Sequence, residues 1–336
     1  MHRFDLNIAL DKYEGVPGET LTGVVSVSVD AAVTARALTI CLVNQTDGRG
    51  AQWSCTEQQQ TLFSGEWTPG DKHEHPFEFT VPNGPVTYVG ELLKVLWLVR
   101  VSADIPWAID PTCDHPFTVR PGGQAALSAG PEVNQRSTSP RASGSATVLV
   151  IGSLCFFGFA SVPLMALLSA SDDIGFGLRV GAIVICCLFG LLLLRAAVAG
   201  SIAKRKLGDV ALEVPSGTFC PGETIPVRVR LKGAVCKLKS ATVTLRGAEN
   251  VVGPSSSSRH GGSTYVHELH RSESTLRGPM QVNGDALFEA EVHLPPDAAA
   301  TFAAPCNEVR WTVEAHFRVA PRSGWSCAAD VRVRPQ

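Results

Sequence analysis

The sequence lacks the short motifs that identify most enzyme classes. Its 336 residues contain no GxSxG, HExxH, P-loop or dinucleotide-binding fingerprint. A charge excess of one sign is also missing, because the formal net charge is −2 and no long basic run occurs, which argues against a nucleic-acid partner. We therefore expect no enzyme, no catalytic residue, no cofactor and no resident metal.

Outside the apolar region described next, the cysteines are scattered singly along the chain. The ten cysteines include no CxxC, so the sequence does not indicate a dense disulfide framework, and a reducing compartment is the simpler interpretation. A disulfide between Cys306 and Cys327 stays open at this point. Inside the apolar region described next, Cys186 and Cys187 are interpreted as small packing residues and not as acylation or redox sites.

Charged residues are nearly absent between residues 146 and 203. Residues 146–170 carry none, and residues 180–203 carry only Arg195. A helix over the first segment would rise ~37 Å at ~1.5 Å per residue, enough to cross a hydrocarbon core of ~30 Å. Neither segment shows the polar stripe of a solvent-exposed helix, which disfavours a buried core hairpin. The sequence predicts a two-helix transmembrane hairpin over 146–203, with helices at about 146–170 and 180–203 and Arg195 snorkelling.

The flanks of this region set the expected topology. Arg136 and Arg141 precede it and residues 204–206 are all basic, whereas Asp172 and Asp173 lie in the intervening turn. By the positive-inside rule, both flanks lie in the cytoplasm. We expect an integral protein of the inner or plasma membrane, with the lipid bilayer as one partner and both soluble domains cytoplasmic. The inverted alternative is an extracytoplasmic structural β-sandwich protein.

The remaining sequence contains one β pattern twice. Residues 4–10 alternate apolar and polar, followed by Pro17-Gly18-Glu19 and a second alternating stretch; residues 210–214 precede Pro221-Gly222-Glu223 in the same way. Proline followed by glycine favours a type II turn. Further segments match in order, among them 97–103 with 311–317. The pattern predicts an all-β internal duplication of immunoglobulin-like antiparallel sandwiches, at 1–121 and 207–336, with a flexible Pro/Gly/Ser linker at 122–145.

These repeats resemble the arrestin-like proteins, a group that includes the α-arrestins, arrestin-like retromer subunits and bacterial sporulation-control relatives. The resemblance lies in Pro-Gly-Glu-Thr-(Leu/Ile) at 17–21 and 221–225, and in the strand 98–107 that follows Tyr88. The chain departs from the family in its inserted apolar region, its lack of a PPxY motif and the absence of a counterpart to the receptor arrestins' polar core. The resemblance implies a scaffold or adaptor that binds unidentified proteins through sheet edges and loops. Together with the predicted hairpin and the lack of catalytic motifs, it indicates a membrane-anchored, non-enzymatic adaptor.

The alternative of a different class is a membrane-bound metal-dependent protein or enzyme that uses histidine clusters. His73 and His75 would share one strand face and could hold a metal with a third ligand, whereas His267 and His270 would not share a face. We interpret both clusters as solvated residues near hairpin ends. The serines at 255–258 are interpreted as a flexible loop and not as a phosphorylation site. The tryptophans are assigned to sandwich cores or membrane-facing anchors and not to a ligand cage: Trp53, Trp67, Trp97, Trp107, Trp311 and Trp325.

Overall fold

The computed structural model describes residues 4–122, 203–254, 262–320 and 323–336, together with the isolated helical positions 184, 185, 188 and 191. The first sandwich contains nine strands in chain order: β1 (Phe4–Leu10), β2 (Glu14–Gly15), β3 (Thr20–Val29), β4 (Val33–Gly48), β5 (Trp53–Trp67), β6 (Lys72–Thr80), β7 (Tyr88–Val89), β8 (Leu93–Asp104) and β9 (Thr112–Val119). One sheet has the order β1-β3-β6. The other has the order β2-β9-β8-β4-β5, with β7 on β8.

The second sandwich follows with eight strands: β10 (Asp209–Glu213), β11 (Thr218–Phe219), β12 (Thr224–Val252), β13 (Thr264–Arg277), β14 (Met280–His293), β15 (Phe302–Ala304), β16 (Asn307–Val319) and β17 (Ser323–Val333). Strand β12 has 29 residues and belongs to both layers. Its first half pairs with β10 and β14, and its second half pairs with β13 and β16. The first sandwich divides the same path between two strands, β3 and β4.

Alternation in the sequence explains why these strands pack as two layers. Along β3, every second residue from Leu21 to Val29 is buried, and along β8 every second residue from Leu93 to Ala103 is buried. Opposite faces of a strand carry successive side chains, so each run contributes one apolar face to a core. The all-β part of the prediction is confirmed.

The Pro-Gly-Glu turns have the same geometry in both sandwiches. Gly18 and Gly222 have φ of +83° and +80°, which a type II turn requires at that position. The amides of Glu19 and Glu223 donate to the carbonyl three residues earlier. Each glutamate carboxylate in turn accepts the amide of that same earlier residue, Val16 at 3.1 Å and Cys220 at 2.7 Å. The glutamate is therefore part of the turn, because it satisfies a backbone donor that the strand has left unpaired.

Two buried contacts also recur at equivalent places. The indole nitrogen of Trp97 donates to Pro85 O at 2.8 Å, and that of Trp311 donates to Ala299 O at 2.9 Å. In each sandwich a threonine hydroxyl two residues beyond that carbonyl accepts the amide of the last strand's final valine. The two sandwiches therefore share details of core architecture in addition to strand order.

The structure shows that the prediction of a two-helix transmembrane hairpin over 146–203 is wrong. No helix in the part of the chain that the structure describes has the length and apolar character needed to span a bilayer. The helix at 203–207 rises only ~7.5 Å at ~1.5 Å per residue, and Ala203 and Leu207 are fully buried, Leu207 within the core of the second sandwich. The other three residues of this helix, 204–206, are all basic. Most of the predicted hairpin, including Arg195, lies outside the described residues.

The predictions that depended on the hairpin are corrected with it. The assignment to the inner or plasma membrane, with both sandwiches in the cytoplasm, is wrong for the same reason. The bilayer as a partner is not tested by the structure and stays a prediction. The linker at 122–145 falls almost entirely outside the described residues, as do Cys186, Cys187 and the serines at 255–258.

Candidate functional site

A small apolar cluster joins the two sandwiches. It consists of Leu93 and Val95 from β8, together with Val251 of β12 and Val309 of β16, all at most 1% exposed. Tyr88 and Leu92 of the first sandwich pack against it. The cluster gives the junction a dry interior, in which polar groups must find partners within the protein.

Glu249 is the buried charged residue of this junction. It lies on β12 with no exposed surface and accepts hydrogen bonds from the amides of Leu92 at 2.6 Å and Glu91 at 3.2 Å, and from the hydroxyl of Tyr88. All three donors belong to the first sandwich. Burial raises the pKa of Tyr88 above its ordinary value, and the hydrogen bond to the Glu249 carboxylate makes a smaller contribution in the same direction. A buried carboxylate is costly without such donors, so the contact favours one arrangement of the two sandwiches.

Glycine is required at position 90 because of this carboxylate. A Cβ added there would lie 1.7 Å from the Oε1 atom of Glu249. The backbone of residues 90–92 can therefore approach the carboxylate this closely only because Gly90 has no side chain.

A second group of hydrogen bonds reinforces the junction from the other direction. Asn307, 3% exposed, donates from Nδ2 to the Thr46 hydroxyl at 2.9 Å and to Ala51 O at 2.8 Å. The amide of Ala51 donates to Val252 O at 2.8 Å. Each sandwich thus supplies backbone and side-chain groups to the other. The junction holds the sheets of the two sandwiches in a defined relation.

Each sandwich carries one long strand that is paired on a single side among the described residues. Strand β5 has 15 residues and is the last strand of its sheet, pairing with β4. Strand β13 has 14 residues and pairs with β12. The side chains from Thr56 to Thr61 are mostly exposed and polar. Both strands lie at corresponding positions, next to β4 and next to the second half of β12.

The open side of β5 is not sealed by the neighbouring sheet. The amide group of Gln58 exchanges two hydrogen bonds with the backbone of Thr80 on β6. This contact uses a side chain of β5 and leaves the β5 backbone out of the bridge. At the second edge, the Arg49 guanidinium lies 5.9 Å from the ring centroid of Tyr265 on β13, so that edge begins beside the junction.

The two predicted histidine clusters lie in different sandwiches. On β6, the rings of His73 and His75 are 6.3 Å apart, and the Asp71 carboxylate lies 3.6 Å from His73 Nε2. Phe63 contacts both rings, and burial lowers the pKa of His75, with a smaller contribution from His73. In the described parts of the chain, no three His, Cys, Asp or Glu side chains lie close enough together to hold a metal ion.

The remaining predicted residues divide between core and surface. The ring centroids of His270 on β13 and Trp311 lie 6.1 Å apart. His270 is half-buried, whereas the prediction was a solvated side chain. Trp67, Trp97 and Trp311 are buried core residues, but Trp107 is completely exposed. Cys306 and Cys327 are free, so the open question of a disulfide between them is answered in the negative.

Comparison with known proteins gives a partial structural likeness and no family. Neither the protein-family models nor the curated proteins include a match. Among solved structures, the crystal structure of Spo0M, a sporulation control protein from Bacillus subtilis, matches at 25% sequence identity with a TM-score of 0.31. The match covers 35% of this chain and 50% of the Spo0M chain. At this TM-score it carries no argument about function.

Proposed function

We propose that the chain is a non-enzymatic scaffold that binds extended segments of partner proteins along its open sheet edges. The observation that carries this proposal is the pair of long strands, β5 and β13, each hydrogen-bonded on one side among the described residues. The lack of catalytic motifs in the sequence supports a binding role without a chemical step. Membrane anchoring forms no part of the proposal.

The binding mode is β-augmentation. An extended segment of a partner adds to the edge of a sheet through main-chain hydrogen bonds, while its alternate side chains are read by the neighbouring surface. Proteins usually block such edges with lysine, proline or very short strands. Strands β5 and β13 contain no lysine and no proline, and both are long. These two edges therefore retain the features that an added strand needs.

The junction lets the two edges act together, because it holds the two sandwiches in a fixed relation. Glu249 and Asn307 tie the sandwiches together through donors and acceptors from both sides. Two edges held in a fixed relation can bind two segments of one partner, or two partners, with the second contact made at a high effective concentration. This arrangement is suited to a scaffold.

The test uses two separate single variants at neighbouring positions of β5, Gln59→Pro and Gln60→Pro. These residues pair in regular register with Cys41 and Ile40 of β4. In an antiparallel edge strand, the amides of adjacent residues point to opposite sides, so one proline removes a bond of the β4 ladder and the other removes an amide from the open edge. Thermal unfolding tells them apart, because only the ladder variant loses a hydrogen bond of the folded protein.

Partner capture is then compared between the stable proline variant and alanine at the same position, which keeps the amide. We expect the full-length proline variant to lose proteins that co-purify with the alanine variant from cells that contain the protein naturally. Identical sets of captured proteins, quantified by mass spectrometry, would rule out augmentation at β5.

A further inference from the structure

The loop between β8 and β9, residues 105–111, presents two large apolar side chains to water. Trp107 is 104% exposed and Ile109 is 96% exposed, whereas the next most exposed large apolar side chains on the described surface, Val89 and Ile185, reach only 68%. Single exposed apolar residues are common on protein surfaces. These two lie two residues apart at the tip of one hairpin, and together they are called the Trp107 tip.

The loop that carries the Trp107 tip is held in one shape. The amide of Ala108 donates to Ile105 O at 3.2 Å, and the amide of Ala103 donates to Pro111 O at 3.1 Å. The Asp110 carboxylate accepts the Ile105 amide at 3.2 Å. Within this frame, Trp107 has a φ of +62°, a left-handed conformation that disfavours residues with a side chain. A strained, braced aromatic residue on the surface is typical of a functional site and presents a pre-organised contact.

The charges around the tip indicate what kind of surface it meets. The strand registers place the β3–β4, β5–β6 and β8–β9 connections at the same end of the first sandwich, opposite the junction. Among the described residues, that end carries six acidic residues, Asp5, Asp30, Glu66, Asp71, Asp104 and Asp110, against the basic residues Arg36 and Lys72. Arg36 is already 3.8 Å from Asp104. An acidic rim is repelled by anionic lipid surfaces and attracted to lysine and arginine side chains.

We propose that the Trp107 tip is an anchor that inserts into an apolar pocket with a basic rim on a partner protein. Tryptophan is among the side chains that contribute most to protein–protein binding when a pocket encloses it. The acidic rim adds orientation and speeds association. The proposal rests on the scaffold function and adds to it a second contact, at the end of the first sandwich far from the junction.

Site-specific photo-crosslinking tests the anchor. The photoreactive residue p-benzoylphenylalanine replaces Ile109 in the full chain, in cells that contain the protein naturally, and the same residue replaces Val89 as the control. We expect one dominant protein adduct from position 109 and none of that protein from position 89. The crosslinked peptide of the partner should map to an apolar pocket flanked by lysine or arginine.

Calorimetry with the purified partner then measures the contribution of each group. Trp107→Gly accepts the positive φ, so the variant folds without strain, and we expect it to weaken binding at least ~30-fold. Asp104→Asn keeps the shape of the rim while removing one charge, and it should weaken binding several-fold at low salt and less at high salt. Val89→Ser should leave affinity unchanged.

Several results would overturn the anchor. They are the absence of an adduct at position 109, adducts only to a second copy of this chain, and binding to phosphatidylserine vesicles that Trp107→Gly abolishes. Unchanged affinity of Trp107→Gly for the captured partner would do the same. If the partner is lost with the open-side proline in β5 but retained by Trp107→Gly, the scaffold function stands and the anchor fails. The reverse result supports the anchor and removes the β5 edge from the function.

Discussion

Replacing Tyr88 by phenylalanine isolates one hydrogen bond of the junction. The phenylalanine ring can keep the packing of Tyr88 against the apolar cluster, so the change removes only the hydroxyl that donates to Glu249. The carboxylate retains the amides of Glu91 and Leu92 as donors. A hydrogen bond to a charged group contributes ~1.5–3 kcal/mol. We expect the free energy of unfolding to fall by that amount, chiefly in the coupling between the sandwiches.

Urea unfolding at neutral pH, followed by tryptophan fluorescence, measures this loss. Tyr13→Phe serves as the matched control, because Tyr13 is 59% exposed and we expect its hydroxyl to contribute no more than ~0.5 kcal/mol. A double-mutant cycle with Glu249→Gln should return most of the effect as coupling energy between the two residues. If Tyr88→Phe changed stability no more than Tyr13→Phe, the junction would not depend on this contact, and the reasoning about Glu249 would be refuted.

Two further predictions concern the junction and the histidine cluster. Gly90→Ala should destabilise the protein by ~1–3 kcal/mol through overpacking against Glu249, whereas Gly217→Ala, with open space around it, should be near neutral; thermal unfolding of both variants tests this. Burial lowers the pKa of His75 in the folded protein, so the unfolded chain binds the proton more readily and stability should fall as pH drops below ~6.5; His75→Gln should flatten that dependence, and equal slopes of melting temperature against pH in both proteins would contradict it.

The strands could be predicted from the sequence because the alternation of apolar and polar residues follows directly from strand geometry. The Pro-Gly-Glu turns were readable for the same kind of reason, since glycine at 18 and 222 accepts a positive φ that few other residues tolerate. The continuity of β12 could not be predicted from the sequence. The sequence suggests separate strands near 225–231 and 241–246. In the structure one strand runs through both layers, because β14 pairs with it up to Leu238 and β16 pairs with it from Leu238 onward.

The junction could have been suspected from one signal. Glu249 follows Val243, Leu245 and Gly247 at every second position of β12, so a carboxylate occupies the buried face of the strand. Alternation shows that such a residue is buried, but it cannot show which groups satisfy it. Those groups, the amides at 91 and 92 and the hydroxyl of Tyr88, are distant in sequence. The transmembrane prediction rested on hydropathy, which reports the avoidance of water and does not by itself establish a helix long enough to cross a bilayer.

The sequence by itself determined the local features of this protein: which residues alternate, where turns with positive φ occur, and that one β pattern appears twice. These follow from steric and solvation rules that act over a few residues. Only the tertiary structure decided how the sandwiches join, which strands remain at open edges and that Trp107 faces water while Trp97 is buried. Such outcomes depend on the partner that each face or edge meets across the chain, and local sequence patterns do not specify that partner.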